Sequence, residues 1–460
     1  MLEPTYQADV VVVGAGVAGL SAARRLTSAG VTTLVLEAAH EVGGRMATEK
    51  VDGFRLDRIG RLLSTAYPEL RPASGLDGLV LRPFAPGVLL HSDGRHHRAG
   101  VQPGARGARS ARGALHAVRA LASAPRPGGG PRRPVAVPRS RTGAPLGTAV
   151  DQARLGAAFS KLAGTPVERL LARPETTAAE ALPARGLPAR TIDGFLRPLL
   201  AALLCDPDLT TSSRCADLAL RAFASGRLCV PEGGAEALPR QLARTLPPGT
   251  VRTGVRVTSV STTSVTTAEH GEFRCGAVLI ATGARSAAEL LPGLRVPDFH
   301  PVTVVHHSVD EAPGTGASLL LDAERGGPVA HTAVVSRVDP SRAPAGRTLV
   351  SSTVLGPPVP GVDTAVRMHL ARLYGVSTAR WETLGVYHTA EAVPVMRPPH
   401  DLRRPVRLLA GLYVCGDHRD TGTVQGALHS AHRAAAAILT DLGAGRSMHR
   451  ADPVPSARAA

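Results

Sequence analysis

The chain has 460 residues, several times a typical domain, so two or three packed units are expected. Hydrophobic residues make up 43% of it, and no apolar run approaches the ~20 residues that cross a bilayer, which excludes a membrane-spanning protein. The formal charge of +16 is concentrated: residues 95–150 carry eleven arginines and no acid, so the other 404 residues share about +5. Lys50 and Lys161 are the only lysines among 53 basic residues, a bias of GC-rich coding, and no nucleic-acid partner is expected. A lesser reading gives the arginine-rich segment an anionic partner, nucleic acid or the surface of a membrane touched peripherally. The five cysteines form an odd set without C-x-x-C spacing, against both a disulfide framework and structural zinc. Residues 1–8 lack a basic n-region, so no secretory leader is expected and the location reads as cytoplasmic.

Along the chain, the β-branched run Asp9 to Val13 predicts a buried parallel strand. A glycine turn and a helix lead to Gly30, and Val31 to Leu36 makes a second strand. Asp93-Gly94, between alternating runs at 87–91 and 95–99, signals a type I′ hairpin. Periodicity then fades into Arg, Ala, Pro and Gly over 100–147, apart from a short helix at Ala111 to Ser123, and this stretch reads as a disordered insertion. Helices follow over about 151–225, with capping-box patterns at Thr165 to Glu168 and Thr177 to Glu180. Strands are expected at 255–260, 264–267 and 277–280. Alternating runs at 302–309, 317–321, 330–338 and 347–354 predict an antiparallel sheet. A helix near 362–374, a strand at 411–414 and a helix from about Thr423 to Leu442 close the chain.

Gly14-x-Gly16-x-x-Gly19 follows a strand and opens a helix, and Glu37 ends the next strand, a dinucleotide fingerprint in its proper context. Gly14 permits the tight turn, Gly16 lets a pyrophosphate approach the backbone, and Gly19 permits close helix packing. The helix start supplies N–H donors. Glu37 suits ribose hydroxyls and argues against a 2′-phosphate. No second G-x-G-x-x-G exists, because Gly314-Thr315-Gly316 lacks both the third glycine and the strand-to-helix context.

Glu41-Val42-Gly43-Gly44-Arg45-Met46-Ala47-Thr48 resembles the G-G-R-x-x-S/T motif of the amine oxidase, phytoene desaturase and protoporphyrinogen oxidase superfamily of flavoproteins. Val255-Arg256-Val257, Ala281-Thr282-Gly283, Leu412 to Asp417 and Gly422 to Ala427 extend the likeness over roughly 1–95 and 148–445. The resemblance implies FAD, with Gly43, Gly44 and Arg45 around the pyrophosphate and the Val257 backbone at the adenine. It places Gly416 and Asp417 on the ribityl chain, and the helix starting at Val424 pointing at the isoalloxazine. Gly60-Arg61 resembles the loop passing near the flavin ring, where Gly60 allows close approach.

The implied fold is α/β, a Rossmann-like FAD/NAD(P)-binding domain (1–75, 226–292 and 385–445) with an α+β substrate domain (76–225 and 293–384) of antiparallel sheet plus helices. Where amine oxidases usually place a cage aromatic in the C-terminal motif, this chain has Thr423. Neither lysine falls where many of these oxidases hold one near flavin N5, and no cysteine stands where a thioether to the flavin would form. FAD is therefore expected to be noncovalent, and oxidation of an apolar or polycyclic substrate, by hydride transfer to flavin N5, is favoured over amine oxidation. A redox-neutral flavin-dependent isomerase is a further alternative. No Ser-His-Asp or metal constellation is expected. His306 and His307 are adjacent on a predicted strand and face opposite sides, so at most one reaches the cavity. His306, Tyr387, His388 and Thr423 are the candidate catalytic residues, Trp381 a candidate pocket wall, and His418 faces either the cofactor or solvent.

Overall fold

The computed structural model describes residues 6–71, 76–100, 145–358 and 360–449. Of the insertion expected over 100–147, residues 101–144, with the helix expected at Ala111 to Ser123, lie outside the described residues. Two large sheets organise the rest. The first has parallel strands in the order Val251–Arg252, Thr33–Leu36, Tyr6–Val13, Glu272–Ile280 and Leu412–Val414. An antiparallel pair, Ser264–Thr267 and Val257–Val260, extends it beside Glu272–Ile280. Val10, Val11 and Val12 are fully buried, as a strand covered on both faces requires. Val10 and Val12 pack with the helices Val17–Ser28 and Val424–His449, while Val11 and Val13 meet Val278, Ile280 and Val414 on the other face.

The second sheet runs in the order Glu382–Pro394, Phe299–Val309, Thr348–Leu355, Val329–Val334, Leu320–Asp322, Val88–Ser92 and Arg95–Ala99. All its pairings are antiparallel except Leu320–Asp322 with Val88–Ser92. Asp93 and Gly94 both take positive φ, which is what a type I′ turn demands. The helices Ala149–Gly164, Arg197–Leu204 and Ser213–Ser225 contribute to one core of this half. Phe159, Phe195 and Phe223 meet edge to face within it, with ring centroids 5.8 to 6.4 Å apart. On another side Trp381 and the helix Val362–Tyr374 close a second core. The strand Glu382–Pro394 stays paired with Phe299–Val309 as far as Pro394. This α/β architecture is the one the resemblance implied.

Two local expectations give way. The run 330–338 is strand only to Val334. Val335–Val338 coils into a short helix ahead of Asp339, whose side chain caps the turn Pro340–Arg342. A β-branched run does not fix its own conformation when both forms bury it, and Val335 and Val338 are buried as helix. The capping box at Thr165 is not made either: Thr165 ends the preceding helix, its hydroxyl donating to Lys161 O, and Pro166 stands at the N-cap of Val167–Leu171. The Thr177–Glu180 box forms reciprocally, and so does one at Thr148 and Asp151.

Candidate functional site

A cavity of about 660 Å³ lies at the C-terminal ends of the parallel strands, where Val13, Leu36, Ala281 and Gly416 all reach its wall. This is the edge at which open α/β sheets bind ligands, and the volume falls in the usual range of about 300–1,000 Å³. Its walls include Gly14, Gly16, Glu37, Gly43, Gly44, Arg45, Val257, Gly416, Asp417, Thr423 and Val424, eleven residues singled out from sequence. Gly14 has φ +105°, and a Cβ there would crowd the Ala281 carbonyl. A Cβ on Gly16 would meet no atom of the described residues within 4 Å, so it would project into open cavity. The helix behind Gly16 has no side-chain cap and no acid in its first turn. An open cradle over uncapped N–H donors fits a pyrophosphate. Gly19 does not line the cavity. A Cβ on it would lie 2.0 Å from Gly14 O, so its role is helix-to-turn packing.

Glu37 is held in place: Ala15 N donates to its Oε2 (2.7 Å) and Ala39 N to its Oε1 (2.9 Å). Each oxygen keeps a further lone pair for a hydroxyl donor. Arg45 spans the cavity wall, donating from Nη2 to Asp417 Oδ1 (2.6 Å) and from Nη1 to Ala392 O (2.9 Å). Burial pushes the Asp417 carboxyl up, but the charge and hydrogen bond of Arg45 outweigh it and leave the group below the ordinary carboxylate range. Gly416 takes φ +141° and is fixed by Ser430, whose Oγ accepts its N–H (2.9 Å). Thr423 caps the last helix, its Oγ1 accepting Gly426 N–H (3.1 Å).

The other sequence candidates lie elsewhere. Gly60 backs onto Thr353, at 2.9 Å from a built Cβ, while its neighbours Ile59 and Arg61 line the cavity. Arg61 donates to Gly422 O (2.8 Å) and Cys205 Sγ (3.1 Å), tying the loop to the C-terminal motif. His306 is buried against the Asp57 carbonyl (2.9 Å), with the Tyr387 ring 5.8 Å away, and His307 lies under Trp381. Burial lowers both imidazoles to about 4, and neither lines the cavity. Tyr387 donates to Glu49 (3.0 Å), and His388 is exposed beside Thr303. Thr389, Glu391 and Ala392, farther along that strand, form the wall instead. Trp381 is a core residue. His418 faces neither cofactor cavity nor solvent: it is buried against Gly416, and burial lowers it to about 4.

Phe299 went unforeseen as a wall, because it comes from a strand end that carries no motif. No cysteine and no lysine is among the lining residues described. Ser21, His432 and Glu69 form an unforeseen hydrogen-bonded relay (Ser21 Oγ to His432 Nε2 3.2 Å, His432 Nδ1 to Glu69 Oε2 2.5 Å). Ser21 sits in mid-helix, buried away from the cavity, so the relay clamps the first helix to the last.

The family described as flavin containing amine oxidoreductase matches residues 17–439. Putrescine oxidase of Kocuria rosea is 43% identical over 100 residues, 21% of this chain and 20% of that enzyme. A limonene dehydrogenase component of Castellaniella defragrans is 39% identical over 92 residues, 19% of this chain and 17% of that protein. The alignments thus span about a fifth of the length of these curated relatives. The crystal structure of an oxidoreductase from Methanosarcina mazei superposes with a TM-score of 0.67 at 15% identity, covering 92% of this chain and 99% of that one.

Proposed function

This chain belongs to the flavin-containing amine oxidoreductase family and is an FAD-dependent oxidoreductase; from that premise we propose that it oxidises an apolar substrate rather than a simple amine. The observation that carries this reading is Thr423, which stands in the cavity wall as a helix cap in place of a cage aromatic. An ammonium group there has no ring face to rest on. Ile59, Phe299 and Ala392 contribute apolar side chains to the cavity wall. The limonene dehydrogenase component among the relatives is in keeping with an apolar donor.

In this reading Val257 and Glu37 hold the adenosine, Gly14 to Val17 and Gly43 to Arg45 the pyrophosphate, and Gly416 to Val424 the ribityl chain and ring. The absence of cysteine from the described walls supports noncovalent binding. FAD in this position supplies N5 as the acceptor of a hydride from substrate carbon. The protein's part is to orient: Asp417 is fixed by Arg45, and the positive end of the last helix faces the cavity at Val424.

Amine oxidation is the second reading, favoured by Glu289 and Glu391 in the wall and by the putrescine oxidase relative. Anaerobic stopped-flow reduction separates the two. A large apolar donor should bleach the flavin, while primary and secondary amines and NADH should leave it oxidised. Rapid bleaching by an amine overturns the proposal, and turnover without any electron acceptor identifies the isomerase.

A further inference from the structure

At the edge of the second sheet remote from the cavity, parallel pairing sets His91 beside Asp322. The following turn brings Glu324 over the hairpin, where its Oε1 accepts Asp93 N–H (2.6 Å). One ligand-type atom from each of His91, Asp322 and Glu324 lies within 4.8 Å of the other two. His91 is 2% exposed, and neither ring nitrogen has a hydrogen-bond partner among the described residues. Its Nδ1 points at Asp322 Oδ1 across 3.8 Å, too far for a hydrogen bond. A buried imidazole without partners is unfavourable unless something outside the protein satisfies it.

Asp322 is held as a ligand would be. Its Oδ2 accepts from Gly326 N (2.7 Å), His369 Nε2 (3.0 Å) and Arg372 Nη2 (2.8 Å), while Oδ1 accepts Glu324 N–H (3.0 Å) and turns toward His91. Outer partners of this kind fix the orientation of a coordinating carboxylate. Burial pushes Asp322 up, but these donors more than reverse it and hold it at about 2. Burial lowers His91, so it is neutral with a free lone pair.

We propose that His91, Asp322 and Glu324 form a divalent metal site of the zinc class, which fastens the Val88–Ala99 hairpin to the 322–327 turn. Tetrahedral zinc, with bonds of about 2.0–2.2 Å, needs ligand atoms roughly 3.4 Å apart, a small contraction of this group. Glu324 is exposed, and with Oε1 engaged by Asp93 N–H its Oε2 is the oxygen that would close the group. One imidazole and two carboxylates suit zinc better than calcium, which takes 6–8 oxygens. Arg372 removes one unit of negative charge, so the nitrogen donor matters more than Coulombic attraction. The three residues are too scattered in sequence, 91 against 322 and 324, for a spacing motif to announce them.

The test uses the full-length holoenzyme, stripped with a chelator and titrated with Zn²⁺ by calorimetry and with Co²⁺ by visible absorption. One Zn²⁺ per chain is expected, with Co²⁺ bands in the low-coordinate range. Glu324→Gln, at an exposed position, should weaken binding by at least about tenfold. His91→Ala should abolish the Co²⁺ bands, and retained flavin colour reports that it folds. Zn²⁺ binding no tighter in the wild type than in Glu324→Gln overturns the site, as do Co²⁺ bands that persist in a yellow His91→Ala protein.

Discussion

The two ends of the cavity are built on different principles. At the end proposed for the nucleotide the wall is contiguous turns at strand ends, Gly14 to Val17 and Gly43 to Arg45, where glycine geometry and backbone donors would do the work. At the end proposed for the substrate the wall is assembled from Ile59, Arg61, Phe299, Thr389, Ala392 and Thr423, brought from separate segments by tertiary packing. The first is a local solution to a fixed ligand, and it tolerates no side chain where the backbone must approach. The second is a surface whose chemistry is free to vary while the fold stays the same.

Two glycines of the same fingerprint break this comparison most sharply. Gly19→Val drives a side chain into the Gly14 carbonyl and should destabilise the whole protein by at least about 3 kcal/mol, giving colourless, poorly folded material. Gly16→Val enters open cavity, so the melting temperature of the apoprotein should hardly move while FAD is lost. Circular dichroism melts beside flavin absorbance read both. A yellow Gly16→Val protein would mean that the cradle is assigned to the wrong ligand.

Acid should act on the fold that carries both ends, through imidazoles buried outside the cavity. His306, His307 and His331 in the second sheet and His418 beside Asp417 are each lowered to about 4 by burial. An unfolded histidine titrates near 6.5, so the unfolded chain binds more protons between these values. The stability is fully present above about pH 6.5 and is lost as pH falls toward 4, at up to about 1.4 kcal/mol per pH unit for each group. Thermal melts from pH 7.5 to 5 should show that slope, and His331→Asn should remove part of it. A flat profile would mean that these rings protonate without unfolding the sheet.

Asp417→Ala leaves Arg45 without its carboxylate. Breaking a fully buried pair costs about 3–5 kcal/mol, but the Arg45 side chain is 38% exposed, so about 1–3 kcal/mol is the appropriate scale here. FAD retention on gel filtration should drop with it. Because the carboxyl is held below its unfolded value, its contribution persists above pH ~4 and disappears only as pH falls through the lowered pKa, below the histidine window.

What the sequence made legible follows the same divide. The fingerprint, the glycine doublet and Gly416-Asp417 were readable because contiguous motifs fix both residue type and spacing, and all of these but the packing residue Gly19 reach the cavity. Tyr387 and His388 were attractive because they carry reactive groups, yet Glu49 and Thr303 already engage them. Phe299 and Ala392 became walls only through the long pairing of Phe299–Val309 with Glu382–Pro394, a contact of residues some ninety positions apart that no local pattern encodes.

Thr423 belongs to both ends, and its replacement has the smallest expected effect and the most discriminating one. Its hydroxyl caps the last helix through Gly426 N–H and sits 2.9 Å from the Thr421 hydroxyl, while the residue faces the cavity. Thr423→Ser keeps the cap and should leave melting temperature and FAD affinity unchanged. Thr423→Ala loses it, for about 1 kcal/mol, without narrowing the cavity. Thr423→Tyr also loses it but fills space at the substrate end, so its melting temperature should match that of Thr423→Ala while reduction by the apolar donor falls well below it. Equal reduction rates in Thr423→Ala and Thr423→Tyr would show that substrate does not pass this wall, and would leave Thr423 with a structural role alone.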